Sequence, residues 1–377
     1  MLPDDVLIDI FLRLPCQPTC ILRAALVCKR WHSLIIDHQF LHRFLALNGI
    51  PVLGVYTNST SIPRFLPVGD PSNRVPDVAF SLPDLQWHVL GCRNSRVLLI
   101  GSCWKELLVW NPMNGNKHFI PSPPDADPRF NYGCVPESNA ALLCAAGHAN
   151  NDCCQSCPFV IVWVFTSVRY AYATRYSSEE GRWEMMACAS MPSDVDCRPS
   201  ILIRNILYWP LKSKYILAFE VGTRNLYHIE CPPDTHDVYR RNVHIMKTED
   251  GGLGLAALTM FNLRLWACET NAEGVAGWVL CKVIELNKFL PLEVPSVSSM
   301  NNRSRGRPPV RILGLVEDDD LFFIWTITGV FAVQLKSMQF KKVFDADVFA
   351  TVYPYKGFFN AGAVVTNEDV GAEESSK

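Results

Sequence analysis

Four groups of residues in this chain have types and spacings that chemistry uses. Gly252-Leu253-Gly254-Leu255-Ala256-Ala257 satisfies the relaxed glycine fingerprint of dinucleotide sites, where glycines let the backbone approach a pyrophosphate at a helix N-terminus. Here the fingerprint follows a polar loop and leads into the strand-like Leu258 to Leu265, so the helix dipole is missing. Cys153, Cys154 and Cys157, with Cys144 and His148 upstream, offer soft ligands for zinc. A structural zinc site draws on two well-separated ligand pairs, and Cys144 with His148 is a poor second pair, so this reads as a thiol-rich loop tip. Asp318-Asp319-Asp320 suggests a divalent cation, but three consecutive acids on a hairpin point in different directions and read as a turn. Cys28 and His32 stand at i, i+4 spacing inside an apolar helical stretch, and no Ser/His/Asp or Cys/His signature occurs elsewhere. No catalytic residue, no metal and no cofactor is expected.

The elements that place residues for another purpose begin at the N-terminus. Pro3 is read as the first position of a helix, and Asp4 and Asp5 put negative charge on its positive end. Val6, Leu7, Ile10, Phe11 and Leu14 recur with a 3.6-residue period until Pro15 stops the run. Two further short helical patterns follow Pro18: one carries Leu22, Ala25 and Leu26, the other Val27, Cys28, Trp31, Leu34 and Ile35. Three short helices cannot cover so many apolar side chains by folding on one another. Part of that surface is expected to meet a partner.

Leu2-Pro3 ahead of an amphipathic helix, Leu14-Pro15 closing it, then Val27-Cys28-Lys29-Arg30-Trp31, Leu34-Ile35 and Phe40, resemble an F-box, collinear over its usual span of about forty residues. The resemblance implies a small all-α, three-helix module over residues 1–45 that docks on a Skp-family adaptor and, through it, on a cullin. Carried over position by position, it makes Leu2, Pro3, Val6, Leu7, Ile10, Phe11, Leu14, Pro15, Leu22, Val27, Cys28 and Trp31 the adaptor-binding residues. Some of these are expected to pack inside the module as well.

The chain has 377 residues, room for one small and one large domain. Hydrophobic residues at 49% against charged residues at 19% imply a well-buried core. A net charge of −2 supplies no bulk attraction to nucleic acid or to an anionic membrane. Acids at positions 4 and 5 argue against a secretory or mitochondrial leader, and apolar runs such as Phe159 to Phe165 fall far short of a membrane span. The fifteen cysteines are odd in number and scattered, which suits reduced thiols. A soluble protein of the cytoplasm, the nucleus or both is expected.

Residues 46–76, rich in Gly and Pro, read as a connector. From residue 77 the texture becomes short aromatic and β-branched runs punctuated by turn residues. Five units of several strands emerge: Arg96 to Pro121, Ala141 to Met186, Ser200 to Pro232, Gly254 to Pro295 and Val310 to Asp345. Trp110, Trp163, Trp209, Trp266 and Trp325 are spaced by 53, 46, 57 and 59 residues, near the period of a kelch-type blade. A solenoid competes, but antiparallel blades set radially bury both sheet faces and leave short edges. The expectation is an all-β propeller over residues 77–360 with about six blades, in a range of about five to seven, the sixth made by Tyr353 to Phe359 pairing with strands in 78–90.

Val109-Trp110-Asn111-Pro112, Ser177 to Trp183, Leu207-Tyr208-Trp209, Gly277 to Leu286, and Gly314 to Asp320 followed by Gly329-Val330-Phe331 are, in that order, similar to the F-box-associated β-propeller of plant proteins. Asn301 to Pro309 is a basic insertion read as a solvated loop, and residues 361–377 read as an acidic disordered tail. Trp87, Trp104, Arg129, Tyr132 and Arg240 have side chains suited to anchoring a target on a propeller face, but the target-binding residues stay unassigned.

Together the two resemblances imply a non-catalytic substrate-recognition subunit of a Skp-cullin-F-box ubiquitin ligase, with the propeller holding the target protein. The alternative is a propeller binding scaffold, for a protein or carbohydrate ligand, with an uncoupled F-box.

Overall fold

The computed structural model describes residues 2–15, 17–58, 62–69, 74–75, 80–82, 87–101, 104–123, 137–147, 157–167, 169–270, 276–291, 308–347 and 351–358. The first helix, α1 (Asp4–Leu12), starts one residue after Pro3 and stops before Leu14-Pro15. α2 (Pro18–Ala25) begins on its proline, which needs no N–H there. α3 (Lys29–Ile35) is capped by Cys28, whose Sγ accepts from the Trp31 N–H at 3.5 Å. A fourth helix, α4 (His38–Asn48), is capped by the Asp37 carboxylate on the Gln39 and Phe40 N–H groups, both at 3.0 Å. It ends on Gly49, whose φ of 72° favours glycine. The helical unit therefore runs past the expected boundary at 45, because the Asp37 cap starts a further three turns of helix.

Leu7, Phe11, Ile21, Ile35, Phe40 and Phe44 form the core of this unit, with Phe11 edge-on to Trp31 at 4.9 Å. The far end of the chain joins them. Phe358 packs into the same cluster, its ring 5.6 Å from that of Phe44, and the Gly357 N–H donates to the Pro51 carbonyl at 3.2 Å.

The rest is a ring of six sheets. The strands that open the chain's β region, β1 (Val52–Thr57) and β2 (Arg64–Pro67), belong to the sixth sheet. Blade one holds β3 (Trp87–Arg93), β4 (Arg96–Gly101), β5 (Glu106–Trp110) and β6 (Lys117–Pro121). Blade two holds β7 (Glu137–Cys144), β8 (Phe159–Ser167), β9 (Tyr170–Ser177) and β10 (Arg182–Ser190). Blade three holds β11 (Ile201–Ile203), β12 (Ile206–Pro210), β13 (Tyr215–Glu220) and β14 (Asn225–Glu230). Blade four holds β15 (Val243–Lys247), β16 (Leu253–Thr259), β17 (Asn262–Thr270) and β18 (Ala276–Glu285). Blade five holds β19 (Arg311–Leu315), β20 (Leu321–Thr326), β21 (Gly329–Gln334) and β22 (Gln339–Phe344). The last strand, β23 (Val352–Lys356), pairs with β1 and closes the ring in the order β2-β1-β23.

Each four-stranded sheet is an antiparallel meander, and the first strands of neighbouring blades touch around the axis, β23 meeting β3 and β19. Six apolar clusters lie between successive blades, so each sheet is covered on both faces. This explains the continuous apolar runs: β4 is buried along its whole length, while the outer β18 is almost wholly exposed.

Two expectations need correction. The connector 46–76 is not a connector throughout: β1 and β2 lie in it, and Tyr353 to Lys356 pairs with 52–57 instead of with 78–90. Gly54 permits this, since a Cβ there would sit 2.3 Å from the Phe65 ring. In blade four the first strand is β15, while Phe289 and Leu290, read as strand, follow a short 3-10 turn. Segments 301–307 and 361–377 and residues Arg129, Tyr132, His148, Cys153 and Cys154 lie outside the described residues.

Candidate functional site

Two surfaces of the molecule bear on function, and the first is on the helices. α1 carries apolar residues on more than one side, and packing divides them. Leu7 and Phe11 are 3% and 1% exposed, inside the core. Leu2, Val6 and Ile10 are 53%, 39% and 46% exposed, as are Leu26 at 82% and Val27 at 61% just ahead of α3. Arg30 ties the start of α3 to the start of α1, its Nε donating to Asp4 Oδ1 at 2.8 Å and its Nη2 to the Leu2 carbonyl at 2.6 Å. The exposed apolar residues ahead of α3 are thereby held at the same end of the unit as Leu2.

Of the twelve expected adaptor-binding residues, Leu2, Pro3, Val6, Ile10, Pro15, Val27 and Cys28 lie exposed; Leu14, Leu22 and Trp31 are half-buried. Leu7 and Phe11 are the corrections: they hold α1 to the other helices and offer a partner no surface. Leu26 was legible as part of the α2 pattern but is turned out, because α2 ends at Ala25. Leu47, on α4, is likewise exposed and lay beyond the expected boundary.

The second surface is the ring axis and the face away from the helices. Arg93, at the end of β3, crosses the axis: its Nε and Nη2 donate to Glu317 at 3.0 and 2.7 Å, and its Nη1 to the Leu142 carbonyl of blade two at 2.9 Å. Glu317 also accepts from the Leu202 N–H of blade three. Tyr353 of blade six donates to the Cys197 carbonyl at 3.3 Å and accepts from Asn58 Nδ2 at 3.2 Å. What remains along the axis is a cavity of about 100 Å³. The acids of the 318–320 turn are each taken by a different lysine: Lys247 to Asp318, Lys356 to Asp319 and Lys336 to Asp320. Among the described residues no cluster of His, Cys, Asp and Glu could hold a metal ion. Gly252 closes the turn after β15, and Leu253 to Ala257 lie in β16. No helix among the described residues is long and apolar enough to cross a membrane.

Near the mouth of the axis, burial pushes the Asp196 carboxyl up, but Arg198, Arg240 and the Arg198 N–H outweigh it and hold it below the usual carboxylate range. His244, whose Nε2–H donates to the Arg241 carbonyl at 3.0 Å, is pushed from 6.5 down to about 3 by burial and then by Arg198. In the unfolded chain this histidine takes up a proton below pH 6.5 that the folded chain refuses until about pH 3. Stability is therefore level above that window and falls as pH drops through it, by at most about 1.4 kcal/mol per unit and by less where solvent reaches the ring. His244→Gln should flatten the decline measured by urea unfolding at pH 7, 5 and 4; equal slopes would remove His244 as its source. Of the suggested face residues, Trp87 is buried and Trp104 half-buried, while Arg240 is exposed at the far face.

Residues 88–359 match the family described as F-box protein AT5G49610-like, β-propeller, and residues 1–48 match the F-box-like domain. No protein of curated function matches the sequence. Similar solved structures include BBS1N in complex with ARL6DN, 11% identical over 78% of this chain and 77% of that chain with a TM-score of 0.38. Others are the mitotic checkpoint complex, 11% identical over 71% and 68% with a TM-score of 0.37, and the WD40 domain of SCAP from fission yeast, 12% identical over 71% and 57% with a TM-score of 0.35. At TM-scores this low these likenesses add nothing to the blade count set by the hydrogen bonds. A helical unit that keeps apolar side chains outside its own core, joined to a closed six-bladed ring and matched over most of the chain, places the protein in the family of F-box proteins with an AT5G49610-like β-propeller.

Proposed function

We propose that the chain is the substrate-recognition subunit of a Skp-cullin-F-box ubiquitin ligase in the cytosol or nucleus. The observation that carries this is the set of exposed apolar side chains, Leu2, Val6, Ile10, Leu26 and Val27, beside a unit whose own core is already filled. Such a surface is costly to leave in water and suits an apolar groove on a Skp-family adaptor. The chain makes no bond itself. It holds a target protein near a charged ubiquitin-conjugating enzyme and raises the effective concentration of the target lysine.

The ring geometry favours a division of labour. The helices sit where β23 ends and β1 begins, and each blade's first strand runs toward that face. The described passages from β10 to β11 and from β14 to β15 open on the opposite face, clear of the adaptor. Co-expressed with a Skp-family adaptor, the full chain should elute with it as a one-to-one complex. A folded chain that elutes alone would overturn the proposal.

A further inference from the structure

On the face away from the helices, the loop of blade three between β12 and β13 and the long passage from β14 to β15 enclose a cleft of about 340 Å³. Its charged lining comprises Arg198, Lys212, Lys214 and Arg240, with His236 beside them and no Asp or Glu among the lining residues. The floor is apolar, with Leu211, Val238 and Ile245.

Two features suggest that these cations are set for a ligand. Arg198 is buried at 4% exposure, and its guanidinium is fixed by Nη1 donating to the Arg240 carbonyl at 3.2 Å and to that of Val243, and by Nη2 donating to Asp196 Oδ2 at 3.4 Å. Among the described residues its Nε has no hydrogen-bond partner, and neither does the buried Oγ of Ser213 at the loop tip. A buried donor without a partner is costly, and a ligand oxygen relieves it. The two lysines, by contrast, are engaged in solvent-exposed pairs, Lys212 with Glu137 and Lys214 with Glu230, which are worth little and yield to a better anion, and Lys214 Nζ lies 5.9 Å from the Tyr215 ring centroid. Arg240 is steadied by donating to the Lys212 carbonyl at 3.2 Å, with its Nε 3.6 Å from Asp196.

We infer that this cleft between blades three and four is the target-binding site, and that it takes an anionic side chain of a peptide segment, a phosphorylated hydroxyl or a carboxylate. The peptide's apolar stem lies on Leu211 and Ile245 while the anion meets Lys212, Lys214 and the Ser213 hydroxyl. Calling the peptide part of a ligase target rests on the function proposed above; the anion site itself does not.

The test uses the full chain and three resins carrying random peptides with a fixed central phosphoserine, glutamate or serine. At least tenfold more chain should be retained on the phosphoserine resin, the glutamate resin or both than on serine. Retention by phosphoserine alone makes the site a reader of phosphorylation, whereas retention by both makes it a reader of acidic segments. Lys212→Glu with Lys214→Glu, and separately Ser213→Asp, should fall to the serine level while melting like the parent. Equal retention on all three resins, or unchanged retention of both folded variants, would overturn the inference. Adaptor co-elution is read on the same samples: its loss with peptide binding intact would remove the ligase proposal and leave the anion site standing.

Discussion

A chain carrying Val6→Glu and Ile10→Lys should melt as the parent does and bind the Skp-family adaptor at least a hundredfold more weakly. Both side chains are exposed in the free protein, so replacing them leaves the core untouched. The new pair stands at i, i+4 with the acid toward the N-terminus, the arrangement that supports a helix, and the net charge of the chain is unchanged. In the docked state each position would lose about 1.5 to 3 kcal/mol of apolar burial and bring a charge into a dry contact. Two such losses exceed about 3 kcal/mol, which is a factor above 100 in Kd. Titration calorimetry against the purified adaptor measures it. Unchanged affinity would show that α1 does not dock. The same substitutions at Leu7 and Phe11 would not serve, because Phe11 holds Trp31 and Phe40 and its loss would unfold the unit.

Glu317→Ala should cost about 3 to 5 kcal/mol of stability. It leaves the Arg93 side chain, 6% exposed, as an uncompensated charge at the axis, and it strips the Leu202 N–H of the carboxylate it donates to. Glu317 joins blades one, three and five, so the damage is to their mutual placement and not to one blade. Removing both charges with Arg93→Met and Glu317→Leu should cost less than the sum of the single changes, since the main penalty is the orphaned partner. Urea unfolding of the parent, Glu317→Ala, Arg93→Met, Glu317→Leu and the double variant decides it. A Glu317→Ala loss under about 1 kcal/mol would mean that the axis network is not what aligns the blades.

Much of this was legible in the residues, and where it was not the reason is physical. The helical period of α1 marks apolar positions but cannot say which of two apolar sides is core; Leu7 and Phe11 differ from Val6 and Ile10 only in what packs on them. The sixth blade was legible only in its last strand near residue 354; β1 and β2 were hidden because they lie among prolines and glycines and find that partner far along the chain. The tryptophans gave nearly the right blade length without marking equivalent places: Trp110 and Trp266 are on third strands, Trp163, Trp209 and Trp325 on second strands. The blades are alike in hydrogen bonding and unlike in side chains. Of the far-face cleft only Arg240 stood out in the sequence, as an anchor type; its convergence with Arg198 and Lys214 from three separate loops left no local signal.

The placement of Phe358 against Phe44 has a consequence for biosynthesis. The helical unit leaves the ribosome before the ring, yet one wall of its core is a side chain from behind the last strand of the ring. It thus emerges ahead of the ring and is completed only with it. A nascent or stalled chain that has made only some of its blades holds an unfinished core and an open ring edge, the condition in which chaperones engage apolar surface. Full packing of the helices coincides with closure of the propeller, so a chain whose ring is incomplete is also one whose helices are not yet set.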